Sequence, residues 1–141
     1  MSPLKELYRR YIAALAIADD GLRDRELDVL LASNFIAHDL VEPLPPGGAG
    51  ALKAFRRLVM AAFPDQAMVI EDLIAEGDRV ASRQTITGTH LGPYMGIEPT
   101  GIKISIQLLE IVQIHDGHIA QRWVAFDRGG LLTTLSSGGR R

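Results

Sequence analysis

Four long runs rich in valine, isoleucine and threonine follow one another in the second half of the chain, and no other feature constrains the fold as strongly. The runs cover about 66–76, 79–90, 102–114 and 118–127, and glycine lies in each break between them. β-Branched residues favour extended backbone, whereas glycine beside an acid favours a tight turn. We therefore predict four consecutive strands that form a meander.

The first half of the chain instead has helical periodicity. Apolar residues recur at helical spacing from Leu4 to Leu15, Asp24 can cap a second helix, and a third apolar stripe runs from Leu52 to Ala62. Pro64 ends the third helix, and the prolines and glycines of residues 42–50 predict a loop. The order of elements predicts an α+β fold in which three N-terminal helices pack in one curved antiparallel or mixed sheet.

Composition limits the class of protein. At 141 residues, 47% of them hydrophobic, the chain fits one domain, which we place at 1–135 with a flexible tail at 136–141. A net charge of -2 without a basic stripe argues against nucleic acid, and the chain has neither a polybasic flank nor an apolar stretch of about 18 residues for a membrane. The absence of cysteine excludes thiolate catalysis, and with no secretion signal in view we expect a cytoplasmic protein.

The loop of the last hairpin decides which side chains share a face of the sheet. A two-residue turn at 116–117 would place Asp127 on the same face as Glu110 and bury both acids among aliphatic residues. A three-residue loop at 115–117 instead sets Glu110 directly opposite Arg122, so that the charges match. We expect the three-residue loop.

That register separates two faces with different chemistry. One face is aliphatic around a single ion pair, and we predict that it is the outer face through which a homodimer forms. The residues expected in this interface are Ile106, Leu108, Glu110, Val112, Arg122 and Val124. The other face mixes amides and an acid with apolar residues, which is typical of a ligand pocket. On this face lie Gln107, Gln113, Trp123 and Asp127.

Three segments resemble the SnoaL-like polyketide cyclase family, within the nuclear-transport-factor-two-like superfold. They are AFPDQAMVIEDLIAEGDRVASRQTITGTH, GIEPTGIKIS and IHDGHIAQRWVAFDRGGLLTTL, and the resemblance runs from about Leu31 to Leu135. It implies a cone of three helices and a curved sheet around a deep pocket, and a homodimer through the outer face of the sheet. It also implies a hydrophobic small-molecule substrate and ring closure by an intramolecular aldol step, without metal or cofactor.

The same resemblance implies that one aspartate acts as acid and base, and its position four residues after Trp123 makes it Asp127. The alternative interpretation of Asp127 is a cap for the following helix. The chain departs from the family at Gln113, where characterised cyclases carry histidine, and at Arg122 and Gln84, where many relatives carry histidine and tryptophan. Gln113 can hold a carbonyl group but cannot transfer a proton.

We predict that further residues bind the substrate beside Asp127. They are glutamines and aromatic or histidine side chains expected in the wall or at the mouth of the pocket. The set is His38, Gln84, Tyr94, Gln107, Gln113 and Trp123. We predict no metal, because no pair of histidines has helical ligand spacing.

Three functions are compatible with the sequence. The first is a cofactor-independent cyclase or isomerase that acts on a polyketide-like carbonyl compound. The second is an epoxide hydrolase of the same superfold, for which Arg83 could reach in from the neighbouring strand although the face of Asp127 offers no obvious arginine and second aspartate. The third is a binding protein that carries a lipophilic ligand without chemistry.

Overall fold

The computed structural model describes residues 2–38 and 47–138, in which four helices accompany five strands. The helices are α1 (Pro3–Leu15), α2 (Asp20–Leu30), α3 (Ala49–Ala62) and α4 (Arg128–Gly138). The strands are β1 (Leu31–Ala37), β2 (Ala67–Glu76), β3 (Arg79–Thr89), β4 (Lys103–His115) and β5 (His118–Phe126). None of the helices in these ranges is long and apolar enough to cross a membrane.

A single mixed sheet organises the molecule, in the order β1-β5-β4-β3-β2. Strands β2 to β5 form the predicted antiparallel meander, while β1 pairs with β5 in parallel. The α+β class and the four predicted strands are therefore confirmed. Strand β1 was not predicted, because its buried residues Leu31, Phe35 and Ala37 do not alternate regularly and its register with β5 shifts between Leu31 and Ile36.

The three N-terminal helices lie where periodicity predicts them, with differences at their ends. Helix α2 begins before Asp24, because Asp19 is its cap and the Asp19 side chain accepts a hydrogen bond from the Leu22 backbone at 2.7 Å. The predicted loop lies largely outside the described residues, since its described part begins at Gly47. Helix α4 continues through Gly138, so residues 136–138 are helical where the sequence predicted a tail.

The β4–β5 hairpin closes with a two-residue turn, so the predicted three-residue loop is wrong. Asp116 and Gly117 both have positive φ, 49° and 74°, and His115 pairs with His118. A register shift then inserts one extra residue into β5, because Ile114 pairs with Ile119 whereas Gln113 pairs with Gln121. This bulge restores the facing of the β5 side chains that the three-residue loop would have produced. Glu110 nevertheless pairs with Val124, and Arg122 with Val112, so the predicted direct pairing of Glu110 with Arg122 is also wrong.

The inner face of the sheet, defined as the face toward helices α1 and α3, carries the aliphatic residues around Glu110 and Arg122. Tyr8 and Tyr11 of α1 form hydrogen bonds with this pair, so the pair is enclosed between helix and sheet. The predicted assignment of this face to a subunit interface is wrong. The residues concerned, all on the inner face, are Ile106, Leu108, Glu110, Val112, Arg122 and Val124.

Candidate active site

A cavity lies between the inner face of the sheet and helices α1, α3 and α4. Its volume is about 80 Å³, and most of its walls are aliphatic or aromatic. The polar or charged residues that line it are Arg56, Gln66, Gln84, Tyr94, Glu110 and Arg122. An apolar space on which a few polar groups converge is the usual form of a ligand site.

Glu110 is the centre of the polar cluster and is only 3% exposed. Tyr8 donates a hydrogen bond to its Oε1, and Tyr11 donates to its Oε2 at 3.1 Å. The Arg122 Nε lies 3.6 Å from the same Oε2, and Arg122 Nη1 donates to the Tyr11 hydroxyl at 3.0 Å. The carboxylate is therefore fixed by groups on α1 and β5, as a buried charge requires.

A second layer of hydrogen bonds orients Tyr8. Gln84 Nε2 donates to the Tyr8 hydroxyl at 2.8 Å and to Ser82 Oγ at 3.0 Å. Because the Tyr8 proton is directed to Glu110, the Ser82 hydroxyl, 2.6 Å away, donates to the Tyr8 oxygen. Burial, and then the charge of Glu110, raise the pKa of Tyr8 above its ordinary value, so Tyr8 stays protonated and remains a donor.

Arg56 enters the cavity from α3 and is 5% exposed. Its Nε and Nη2 donate to the Leu15 carbonyl at 3.2 and 2.8 Å, and Nη2 donates to Gln66 Oε1 at 2.6 Å. Burial, followed by the nearby charge of Arg122, lowers the pKa of Arg56 to about 10. The guanidinium nevertheless remains charged at neutral pH.

Tyr94 covers one side of the cavity from the loop between β3 and β4. His90 holds this loop, because its carbonyl accepts from the Gly101 backbone at 2.9 Å and its Nδ1 accepts from the Thr100 backbone at 3.2 Å. Gly92 is needed where the loop meets the end of α3, since a Cβ there would lie 2.2 Å from the Ala61 carbonyl oxygen. The loop is thus anchored closely at both ends.

Two of the predicted site residues, Gln84 and Tyr94, line the cavity. Asp127 does not, because β5 ends with the Phe126 side chain on the inner face and Asp127 is exposed beyond it. Its Oδ1 accepts from the Gly130 backbone at 2.9 Å, which caps the start of α4. The prediction that Asp127 faces the cavity is therefore wrong.

The outer face of the sheet, opposite the helices, holds three further residues of the predicted set. The rings of His38 and Trp123 stack with centroids 4.9 Å apart, and His38 Nε2 donates to Gln121 Oε1 at 2.7 Å. Gln121 in turn donates to Gln113, which donates to Asp78 at 2.9 Å. These side chains form a surface network that does not reach the cavity.

Two other predicted positions also lie away from the cavity. Gln107 is exposed on the outer face. Arg83 donates to Asp72 Oδ2 at 2.7 Å across the exposed surface, so it does not reach inward. The prediction therefore assigned the wrong face of the sheet to the pocket. Every residue that was predicted from that face consequently lies outside the cavity.

Sequence reasoning missed the tyrosines and one arginine of the site. Tyr8 and Tyr11 belong to the apolar stripe of α1, which gave no reason to expect their hydroxyls at a buried acid. Arg56 has a clearer signal, because it lies four residues after Leu52 and three before Val59 on the buried side of α3. A charge inside such a stripe needs a partner or a ligand.

Helices packed in a curved mixed sheet, with a polar cluster at a cavity between them, define a cone of the nuclear-transport-factor-two-like class. The model of the SnoaL-like polyketide cyclase family matches residues 5–135. The chain therefore belongs to this family, as the sequence resemblance predicted.

Solved structures agree with this assignment. TsrD from Streptomyces laurentii is 28% identical, with a TM-score of 0.80 over 96% of each chain. AclR from Streptomyces galilaeus, a proposed hydroxylase, is 25% identical, with a TM-score of 0.79 over 95% of this chain and 96% of its own. A SnoaL-like protein from Jannaschia sp. CCS1 is 21% identical with a TM-score of 0.84 over 96% and 92%, which supports the fold alone. Comparison with curated proteins found no match.

Proposed function

We propose that this protein is a cofactor-independent enzyme that moves a proton on a small, carbonyl-bearing, largely apolar molecule, with Glu110 as the acid and base. One observation carries the proposal: among the described residues that line the cavity, Glu110 is the only carboxylate. The aliphatic walls favour an apolar substrate body. Ring closure of a polyketide-like compound is the form of this chemistry that the family favours.

The proposed step begins at a carbon between two carbonyl groups, since a carboxylate is too weak a base for an unactivated C–H bond. Glu110 takes the proton, and the C–H electron pair becomes an enolate. Arg122, which lines the same cavity, would donate a hydrogen bond to the enolate oxygen. In ring closure the enolate carbon attacks a second carbonyl, and the proton on Glu110 is returned to the new alkoxide.

Tyr8 and Tyr11 act as positioning residues in this scheme. Both hydroxyls are directed at Glu110 from α1, and neither residue lines the cavity. They hold the carboxylate in one orientation while its charge is neutralised and restored. Fixed donors of this kind avoid reorganisation during the reaction.

Proton exchange into a 1,3-dicarbonyl compound tests the proposal without knowledge of the natural substrate. We expect the protein to accelerate deuterium uptake by 2-acetylcyclohexanone, followed by NMR, and Glu110→Gln to lose about 10²- to 10⁴-fold of that acceleration. Asp127→Asn is the matched control, and we expect it to retain the acceleration. If Asp127→Asn loses the acceleration and Glu110→Gln keeps it, the proton is carried by Asp127 as the resemblance implied.

A carrier function without chemistry is the alternative that a specific observation favours. Glu110 already accepts hydrogen bonds from two tyrosines and is paired with Arg122, which is the arrangement of a structural buried charge. A carrier would bind the dicarbonyl without accelerating exchange. The epoxide hydrolase interpretation has less support, because it calls for a second carboxylate and none besides Glu110 is found among the described lining residues.

We also propose that the outer face binds a second copy of the chain. It presents aliphatic side chains that are unusually exposed, among them Ile74 at 64% and Leu109 at 54%. Together with Ile111 and Trp123 they border a groove of about 450 Å³. Apolar patches of this kind on one face of a sheet mark contact surfaces.

A further inference from the structure

The cavity contains a buried cation whose described partners are all neutral. Of the described residues, three charged side chains line the cavity, and two of them, Glu110 and Arg122, form an ion pair. Arg56 is the third, and its partners are the Leu15 carbonyl, the Gln66 amide oxygen and the Met60 sulfur at 3.6 Å. Within residues 2–38 and 47–138, no carboxylate forms a hydrogen bond or ion pair with Arg56.

Neutral partners reduce the cost of burying this charge but do not cancel it. Leu15 is the last residue of α1, whose carbonyl end carries a partial negative charge of roughly half an electron. Against that, Arg122 and Arg23 both repel the Arg56 charge, and the attraction of Glu110, which makes no direct contact with Arg56, is weaker than the repulsion of Arg122. An ion that loses its water without a full counter-charge costs several kcal/mol, so a counter-charge from a ligand would be strongly favoured.

One guanidinium nitrogen is available for such a ligand. The bonds of Arg56 use Nε and Nη2, whereas Nη1 makes none to the described residues and is not among the fully enclosed unpartnered atoms. Because Arg56 lines the cavity and Nη1 is not fully enclosed, we take Nη1 as the atom that would donate to a molecule inside the cavity. Hydrogen bonds between a guanidinium and a carboxylate are among the strongest that proteins form.

We propose that the ligand of this cavity is a carboxylate, held by the Arg56 guanidinium, rather than a neutral ester or ketone. This inference shares one premise with the proposed function, namely that the cavity is the ligand site. It narrows the substrate class to carbonyl compounds that carry a free carboxylic acid, with the acid at Arg56 and the reacting carbon at Glu110.

Benzoate and benzamide test the proposal, because they have nearly the same shape and differ in charge. We expect benzoate to bind to the wild-type protein about tenfold or more tightly than benzamide, the difference between a charge-assisted and a neutral hydrogen bond. Binding is measured by NMR titration of the Ile104 and Ile106 methyl groups, which lie in the cavity wall. Equal affinity for the two compounds, or no shift of these methyls with benzoate, would overturn the proposal.

Arg56→Met is expected to abolish the preference for benzoate. Arg57→Met is the matched control, because Arg57 is the next residue of α3 but is exposed and paired with Asp24. It should keep the preference. Arg56→Lys serves if the methionine variant does not fold, and it should retain part of the preference because the charge remains.

The carboxylate proposal and the catalytic proposal can be tested independently of each other. Glu110→Gln removes the proposed acid and base but leaves Arg56 in place, so it should lose deuterium exchange and keep the preference for benzoate. Exchange without a preference for benzoate would support the catalyst and reject the carboxylate. A preference for benzoate without exchange would support a carrier of carboxylates.

Discussion

Both faces of the central sheet combine apolar and polar side chains, but they place their polar groups in opposite environments. On the inner face, Glu110 and Arg122 are almost fully buried, and donors from α1 surround the carboxylate. On the outer face, Gln113, Gln121 and His38 bond to one another at the surface while Ile74 and Leu109 are exposed. The difference shows that burial of a polar group depends on partners from another element and not on the hydropathy of its own strand.

Breaking an ion pair on each face should give the largest difference in stability. We expect Arg122→Met to lower the free energy of unfolding by about 3–5 kcal/mol, because it leaves the buried Glu110 without its ion partner. Arg83→Met, which breaks the exposed pair with Asp72, should cost about 0–1 kcal/mol. Urea denaturation measures both values. Equal losses of unfolding free energy in the two variants would show that the buried pair contributes no more to stability than the exposed pair.

A charge on the outer face tests whether that face is covered by a second copy. Ile111→Lys should convert a dimer to a monomer, since an unpaired ammonium in an apolar interface typically costs about 2 kcal/mol or more of association free energy. Light scattering after size exclusion gives the mass. Leu22→Lys is a control, because Leu22 is also an exposed aliphatic residue but belongs to α2 and not to the sheet. If the wild-type protein is monomeric at high concentration, the proposed interface is wrong.

The acid at the end of β5 should matter for stability rather than for catalysis. Asp127→Ala removes the cap of α4 and should lower the free energy of unfolding by about 1 kcal/mol, whereas Asp127→Asn should change it little because asparagine also caps. Thermal unfolding of the two variants measures this difference. A destabilised Asp127→Asn variant would argue against the capping role.

The smallest expected effect is a dependence of stability on pH through His90. Burial lowers the pKa of His90, so the unfolded chain binds a proton more readily than the folded one. The stabilisation from neutral His90 is complete above the ordinary histidine pKa of about 6.5 and is lost as the pH falls below it. Unfolding free energies of the wild type and His90→Asn, compared between pH 7.5 and 5.5, measure this contribution. Exposed His115 provides the control through His115→Asn.

Much of the fold could be predicted from local patterns in the sequence. The four strands of the meander, the three N-terminal helices and the family all follow from periodicity, turn residues and resemblance. Strand β1 could not be predicted, because it depends on pairing with β5, which is distant in the chain. In the site, Gln84 and Tyr94 were predicted, whereas Tyr8 and Arg56 were not.

The sequence by itself determined which side chains of β4 and β5 lie together, because alternation along a strand divides residues into two sets. It did not determine which set faces inward, since both sets combine apolar and polar residues. Only the tertiary structure decided this, by placing the hydroxyls of Tyr8 and Tyr11 against Glu110. A buried carboxylate is stable only where donors meet it, and those donors belong to a helix about a hundred residues earlier in the chain.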